Sequence, residues 1–542
     1  MKISFNIKHY KNRLIGLLRA AEKNYYVEKL EYHRSNLHKT WQTINTVRGR
    51  KSKRSSIVEI LHNNTCINDS KSMADVFNNY FNKIGPQLAS NIPPSIMTHT
   101  KYLMPRSSKS FFFNPVTPHE VTDIIALLKN SHSKGYDEIS TDILKLCPYE
   151  VHIILAEIFN QSLEQGIFPQ HLKIGKITPI FKAGDKQKVS NYRAISVLSP
   201  FAKILEKIVQ NRVTHFIDQE KILSDNQFGF RKNLSAELAI HELTDKISRA
   251  IDDHKITVGI FLDLSNAFDT VDHNILLDKL EYYRIRGTPL TWFKSYLTNR
   301  VQYVSIENES SAHLLVRCGV PQGSILGPLL FILYINDLQA VTDLDLIMFA
   351  DDTNIFATGL TQNVMIEKLN LDLNLISDWF AANLLSLNLN KTCYMIFGNK
   401  KNLNMDLDIR INNEKLIRAY ETKFLGVIIT TDLKWGKHVD MIVNKMSKVV
   451  GIFRKIRYKL NQVALKQLYH TLLEPYITYC SSIWASPYKT VKLNRVLILQ
   501  KTAIRIISHS HYIAHTNPIF SSLQILKVYD LAKTAIIISS HA

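Results

Sequence analysis

One stretch of this chain cannot be accommodated casually by any fold. In Phe349-Ala350-Asp351-Asp352, two adjacent carboxylates stand inside an apolar run, with Leu346-Ile347-Met348 before them and Ile355-Phe356-Ala357 after. Apolar run, short polar break, apolar run predicts strand, tight turn, strand, with both acids lifted to the tip. Crowding two carboxylates is costly unless a cation neutralises them, so a divalent metal is the natural tenant. The competing reading is a solvated hairpin turn, a common setting for Asp. A further acid upstream decides between the two.

That acid is Asp263. It closes Thr257-Val258-Gly259-Ile260-Phe261-Leu262, a short and mostly apolar run read as a strand. Behind it, Ala267-Phe268-Asp269 opens a segment with apolar residues at helical spacing, Val271, Ile275, Leu276 and Leu280. Asp269 and Asp272 then fall in the first turn of a helix, where acids interact favourably with the helix dipole. Strand, acid, helix sets Asp263 at a sheet edge, able to face the hairpin tip. Three carboxylates so placed suit two metal ions roughly 3.5–4 Å apart, the geometry that clamps attacking and leaving oxygens in phosphoryl transfer. Between the two elements, Gly319-Val320-Pro321-Gln322-Gly323-Ser324-Ile325-Leu326-Gly327-Pro328 predicts a sharply bent backbone open to close approach. A helix-like apolar stretch follows over 329–338.

In this order the blocks resemble the reverse transcriptases of non-long-terminal-repeat retrotransposons, most of all the jockey type. The matching residues begin with Gly166-Ile167-Phe168-Pro169, Ile180-Phe181-Lys182, Asn191-Tyr192-Arg193-Ala194-Ile195-Ser196 and Gln227-Phe228-Gly229-Phe230-Arg231. Leu262-Asp263-Leu264-Ser265-Asn266-Ala267-Phe268-Asp269, the Pro-Gln-Gly loop and the Ala-Asp-Asp turn follow. Leu387-Asn388-Leu389-Asn390-Lys391-Thr392 and Lys423-Phe424-Leu425-Gly426-Val427 complete the set. Weaker resemblance extends over nearly the whole chain. Three positions depart from the family pattern, which commonly has Pro at Ala194, Thr at Ala236 and Gly at Glu138.

The resemblance implies an α+β fold shaped as a right-hand polymerase, with fingers, a palm built on a small antiparallel sheet, and a helical thumb. It implies a basic helical N-terminal extension or linker over 1–108 and a reverse transcriptase domain over 163–430, its fingers starting near 110. A basic helical thumb and truncated C-terminal region would fill 431–542. Asp263, Asp351 and Asp352, with the Leu264 carbonyl, would hold two Mg2+ ions, Mn2+ being an alternative. Lys391 would protonate pyrophosphate, and Lys182 and Arg193 would bind the triphosphate. Gln322 and Gly323 would lie against the nucleotide, and Phe268 would stack under its sugar and exclude a 2′-hydroxyl. Taken singly, Lys391, Lys182 and Arg193 also read as surface cations, and Phe268 as core packing. Implied partners are an RNA template, a DNA primer or target DNA, and deoxynucleoside triphosphates. No endonuclease signature is visible, so a nick is expected from a missing domain or another protein.

Charge supports the same class independently. The chain carries 67 Lys+Arg against 47 Asp+Glu, a net of +20. Residues 1–60 carry 14 against 4, net +10, and residues 431–542 carry 16 against 4, net +12, leaving −2 for the middle. A near-neutral centre flanked by basic arms suits a protein that grips a polyanion; solubilising termini are the alternative. The first arm ends in Arg48-Gly49-Arg50-Lys51-Ser52-Lys53-Arg54, readable as a phosphate grip or a nuclear address, after a helical pattern through Leu14, Leu18, Ala21 and Tyr25. In the second arm, Val439, Val443, Met446, Val450 and Phe453 predict one apolar helix face, with Lys445, Lys448, Lys455 and Lys459 opposite it as nucleic-acid contacts. A second helix is predicted from Val496 to Ile507, with Lys501 and Arg505 outward.

Five scattered cysteines give neither a zinc pattern nor a disulfide framework. No secretory signal or long apolar span is visible, so the expectation is an intracellular, soluble protein of nucleus or cytoplasm, with no membrane partner. Residues 91–108, rich in Pro, Ser, Thr and Lys, read as the least ordered stretch. Three alternatives to a retrotransposon polymerase are weighed at this level. One is an inactive, truncated remnant that only binds nucleic acid; another is an intron-maturase-type polymerase, against which the jockey-like flanking blocks argue. The third is a nucleotidyl cyclase, which would have no use for the fingers lysines, the Pro-Gln-Gly loop or a basic thumb.

Overall fold

The computed structural model describes residues 2–541 except 35, 51–56, 94, 96, 104–108, 360–361, 399–406, 487 and 489, and excludes the side chains of 2–8, 362–364 and 539–541. Lys51, Lys53 and Arg54 of the basic run, and seven residues of 91–108, therefore lie outside the described residues. The fold is mixed helix and sheet, with small, mainly antiparallel sheets. Two compact units emerge: one of residues 56–239 and 246–419, the other of 1–55, 240–245 and 420–542. The segment expected as a single extension over 1–108 is thus divided between them.

The first unit is organised by a five-stranded sheet in the order Ile417–Arg418, Cys393–Phe397, Ile256–Leu262, Asp352–Gly359, Asp345–Phe349. Its middle strand, Ile256–Leu262, is buried at every position, as an apolar and β-branched run with neighbours on both sides should be. The register places Thr353 opposite Leu262, so the hairpin tip lies beside the end of the strand that carries Asp263. Helices Pro200–Gln219, His273–Tyr282 and Leu326–Tyr334 contribute to the apolar core that includes this sheet. The apolar stretch expected to be helical over 329–338 ends that helix at Tyr334 and continues as the 3-10 turn Asn336–Val341. Polar side chains cause the break. Asn336 accepts from the Ser224 N–H at 2.7 Å and donates to the Ile222 carbonyl, while buried Asp337 pairs with buried Lys279 at 2.7 Å.

The segment after Asp263 also differs from expectation. Ala267–Asp269 forms a separate 3-10 turn, and the α-helix starts at His273 with Asp272 as its N-cap, accepting from the N–H groups of Asn274 and Ile275. Asp272 therefore caps the helix. Asp269 lies outside it.

A second sheet carries Tyr192–Val197, Ile174–Phe181 and Val301–Ile306 side by side. Helix Ser70–Ser90, capped by Asp69, buries Met73, Ala74 and Phe77 against Ile177, Tyr192 and Val304 of this sheet. Asn78 fixes the contact by donating to Ser311 Oγ at 2.9 Å and to the Ala312 carbonyl at 2.7 Å. Within the 91–108 stretch, His99–Tyr102 forms a 3-10 turn and Leu103 is buried.

Glu138, one of the three departures from the family pattern, has φ +56°, in the left-handed region that glycine occupies without a Cβ penalty. Its carboxylate meets Lys176 at 3.3 Å on the surface, a weak compensation. Glu138→Gly is expected to stabilise the protein by about 1 kcal/mol, read as a higher denaturation midpoint.

In the second unit, Lys2–Tyr32 is helical as its spacing predicts, yet Leu14, Leu18, Ala21 and Tyr25 are exposed and Leu30 is the position that becomes buried. Hairpin Glu421–Phe424 and Val427–Thr430 turns through Leu425 at φ +44° and Gly426 at φ +89°, which accounts for the Lys423-Phe424-Leu425-Gly426-Val427 block as a primed two-residue turn. Tyr479 Oη donates to the Leu425 carbonyl at 2.6 Å and holds it. Helix Gly436–Ile456 buries Val439, Met446, Val450 and Phe453, with Val443 only partly covered. Its partner begins at Val491, capped by Thr490, five residues before the expected start, and ends at Ile507.

Candidate active site

Asp263 is held by main-chain contacts on both sides of its peptide unit. Its N–H donates to Thr392 Oγ1 at 3.3 Å, and its carbonyl accepts the Asn388 N–H at 2.8 Å. An isolated bridge between Leu264 and Leu387 continues the pairing. The Leu387-to-Thr392 block thus brackets the Asp263 strand end and delivers Lys391, whose Nζ lies 3.4 Å from Asp263 Oδ2.

The hairpin tip is built as tightly. Phe349 pairs with Asp352, leaving Ala350 and Asp351 as the turn, with Ala350 at φ +55°. The Gln227-Phe228-Gly229 block backs this turn. The Phe228 N–H donates to the Met348 carbonyl at 2.8 Å, and buried Gln227 Oε1 accepts from the N–H groups of Gly229 at 2.8 Å and Ala350 at 3.0 Å. A Cβ on Gly229 would stand 2.4 Å from the Ala350 nitrogen, so only glycine allows this approach.

Asp263, Asp351 and Asp352 share one cleft of about 700 Å³. Burial pushes the Asp351 carboxyl up, with Asp263 adding repulsion; Arg193 and Lys182 oppose the shift. Asp352 keeps solvent contact on one side, yet burial and the charges of Asp351 and Asp263 push its carboxyl up to about 6. The three acids therefore form an undercompensated negative site. Hard carboxylate oxygens with unrelieved repulsion are the donor chemistry that suits Mg2+. Among the described residues, no group of three or more His, Cys, Asp or Glu side chains is gathered tightly enough to ligate an ion as placed. Asp263 instead lies within ion-pair distance of Lys391.

Lys182 and Arg193 reach the cleft from the second sheet, where Arg193 pairs with Ile180 across the ladder and the Lys182 N–H donates to the Asn191 carbonyl at 2.8 Å. Leu264, Phe268, Gln322, Gly323 and Lys391 line the same cleft. Phe268 combines the two readings the sequence offered, since its ring stacks on Phe331 at 4.6 Å between centroids while also facing the cleft. Gly323, at φ +123°, makes its close approach to protein: a Cβ there would lie 2.5 Å from the Ser196 carbonyl oxygen.

Sequence reading missed two contributions. Tyr80 and Phe81, from helix Ser70–Ser90, line the cleft beside Lys182 and Arg193. Their signal was legible, since Met73, Phe77 and Phe81 recur every four residues after an Asp N-cap. Asp269 is the other, bound to Gln322 Nε2 at 2.8 and 2.9 Å.

The four lysines expected to touch nucleic acid lie in the second unit. Lys448 and Lys455 are exposed on helix Gly436–Ile456, and neither has an ion-pair partner among the described residues. Lys445 lies over the Tyr476 ring at 5.4 Å. Lys459 is beyond the helix end and pairs with Glu22 at 3.1 Å, so it does not continue the ridge. Arg505, expected outward, donates to the Ala514 carbonyl at 2.9 Å. No described helix is long and apolar enough to cross a membrane.

Comparison with known proteins bears on the same segment. Residues 182–429 match the family described as reverse transcriptase (RNA-dependent DNA polymerase). The chain is similar to the probable RNA-directed DNA polymerase from transposon BS of Drosophila melanogaster, 29% identical over 422 residues, covering 73% of this chain and 45% of that protein. It is also similar to the RNA-directed DNA polymerase from mobile element jockey of the same organism, 29% identical over 448 residues, covering 79% of this chain and 48% of the relative. The chain spans about half the length of these curated relatives.

Proposed function

We propose that this chain, whose residues 182–429 match the family described as reverse transcriptase (RNA-dependent DNA polymerase), extends a DNA primer on an RNA template as the polymerase of a non-long-terminal-repeat retrotransposon. The observation that carries the reading is the shared cleft of Asp263, Asp351 and Asp352, with Lys182 and Arg193 on its wall. In this reading, the sheet bearing the three acids is the palm, the sheet bearing Lys182 and Arg193 belongs to the fingers, and the helices after residue 430 are the thumb.

Asp263, Asp351 and Asp352, with the Leu264 carbonyl, would hold two Mg2+ ions. Bound there, the ions would activate the primer 3′-hydroxyl and neutralise the leaving pyrophosphate. The protein's own groups do the rest. Lys182 and Arg193 hold the triphosphate, and their charges favour the ionised form of Asp351. Lys391 gives up Asp263 and stands ready to protonate pyrophosphate. Phe268, braced by Phe331, sets the floor under the sugar. Gln322 and Gly323 close the side.

The deciding experiment is incorporation of a deoxynucleotide onto a DNA primer annealed to a homopolymer RNA, with Mg2+ present and absent. Metal-dependent extension supports the proposal, whereas tight binding without extension would convert the reading to a nucleic-acid-binding remnant. Two further expectations follow from the assigned roles. Phe268→Val should raise ribonucleotide use relative to deoxynucleotide by about 10- to 100-fold, the range for removing a steric contact in an apolar pocket; unchanged selectivity in competition assays removes Phe268 from sugar discrimination. Lys448→Gln combined with Lys455→Gln should flatten the slope of log affinity against log salt by about 1–2, one counterion per lost phosphate contact. An unaltered slope rejects those lysines as contacts.

A further inference from the structure

Asp269 turns both carboxylate oxygens on Gln322, accepting from its Nε2 at 2.8 Å (Oδ1) and 2.9 Å (Oδ2), while Oδ2 also accepts a longer bond from Asn266 Nδ2 at 3.4 Å. A carboxylate only accepts, so the amide of Gln322 must present its nitrogen here and turn Oε1 away. The main chain on either side is stitched as firmly. The Val320 N–H donates to the Phe268 carbonyl at 2.9 Å, the Gly319 N–H to the Val271 carbonyl at 2.7 Å, and Cys318 Sγ to the Asp269 carbonyl at 3.4 Å. The Gln322 carbonyl in turn accepts the Ser196 N–H at 2.8 Å.

The two residues that Asp269 ties together, its neighbour Phe268 and its partner Gln322, both face the catalytic cleft. The acid is expensive to keep there. Burial pushes its carboxyl up to about 6, and only Gln322 and Asn266 act against that shift, with no cation among the opposing groups. Asparagine would be a cheaper side chain at such a position, but it would offer one acceptor and an amine, leaving Gln322 free to flip.

We propose that Asp269 is a positioning residue for nucleotide recognition. It fixes Gln322 so that Oε1 is kept for a hydrogen-bond donor on the incoming nucleotide, and it ties that amide to Phe268. The assignment rests on the nucleotide-site reading given above.

The test uses the full chain on an RNA template with a dideoxy-terminated primer, so that nucleotide affinity is read from ternary-complex stability without chemistry. Asp269→Asn should weaken deoxynucleotide binding about tenfold, the effect of one lost hydrogen bond of that strength. With an extendable primer, KM should rise to match while kcat changes less than about threefold. Gln322→Ala should weaken nucleotide binding comparably, and the double variant should be no weaker than Gln322→Ala alone, because Asp269 acts only through that amide. Wild-type affinity in Asp269→Asn, or effects that multiply in the double variant, overturns the proposal. Template–primer affinity without nucleotide serves as the folding control. If Asp269→Asn fails it, Asp269→Ser replaces it with the same expectation, and failure of both identifies a purely structural acid. A wild-type chain that forms the ternary complex but never extends a free 3′-end refutes the polymerase reading and leaves the Asp269 assignment standing. One that binds no nucleotide refutes both.

Discussion

Asp351→Asn is expected to reduce deoxynucleotide incorporation at least about a thousandfold, equivalent to ~4 kcal/mol of transition-state stabilisation, while leaving affinity for template and primer unchanged. Asparagine preserves the volume of the turn residue but removes a negative oxygen from a site whose purpose, in the proposed mechanism, is to concentrate them. The same change should stabilise the ion-free protein. The Asp351 and Asp352 carboxyls are raised in the folded state, so the unfolded chain loses those protons first as pH rises. Their contribution to stability is therefore full at low pH, falls as pH climbs from the ordinary carboxylate range through the raised folded-state values, about 6 for Asp352, and levels off above them. At neutral pH the wild type in chelator should melt below Asp351→Asn, and added Mg2+ should raise the wild type far more than the variant. Equal melting in chelator, or equal gain from Mg2+, would show that the acids do not repel one another as their burial implies.

The second large effect comes from a residue with no chemistry of its own. Gly229→Ala would place a methyl group 2.4 Å from the Ala350 nitrogen and 3.0 Å from the Phe349 carbonyl carbon. Both are backbone atoms of the turn that carries Asp351, so neither can yield without moving the turn. Misplacement of a catalytic group by about 1 Å is worth on the order of 100-fold in rate. Incorporation should fall by that factor with nucleic-acid binding retained. Gln227→Ala, which removes the acceptor shared by Gly229 and Ala350, should lower the rate in the same direction but less. Near wild-type turnover in Gly229→Ala would mean that the hairpin tolerates displacement and that its tip is not where the reaction is organised.

The parts of this molecule that were legible in the sequence share a property: their signal is local. The strand of Asp263 and the Asp351 hairpin are contiguous apolar runs ending in acids, and period and punctuation suffice to find them. Helix Gly436–Ile456 likewise announces its buried face. Contacts that depend on partners distant in sequence were not legible. Nothing near Asp269 indicates that Gln322 will reach it, and its proximity to a helix suggested a dipole role that Asp272 in fact fills. The apolar positions of Lys2–Tyr32 satisfy helical spacing, yet burial needs a facing surface, and spacing alone cannot supply one. Lys459 continued a periodic ridge on paper until Glu22 claimed it. Glu138 shows the converse, a departure from a family pattern whose meaning is visible only once its φ is known.

Helix Ser70–Ser90 carries a practical corollary. It precedes the segment that matches the family at residues 182–429, yet it roofs part of one sheet and lends Tyr80 and Phe81 to the working cavity. A recombinant fragment trimmed to the matched segment would lose this helix together with strand Ile174–Phe181, baring Tyr192 and Val304 to water and breaching the chamber next to its two cationic side chains. Expression boundaries for this protein are better drawn upstream of Asp69 than at the edge of the family match.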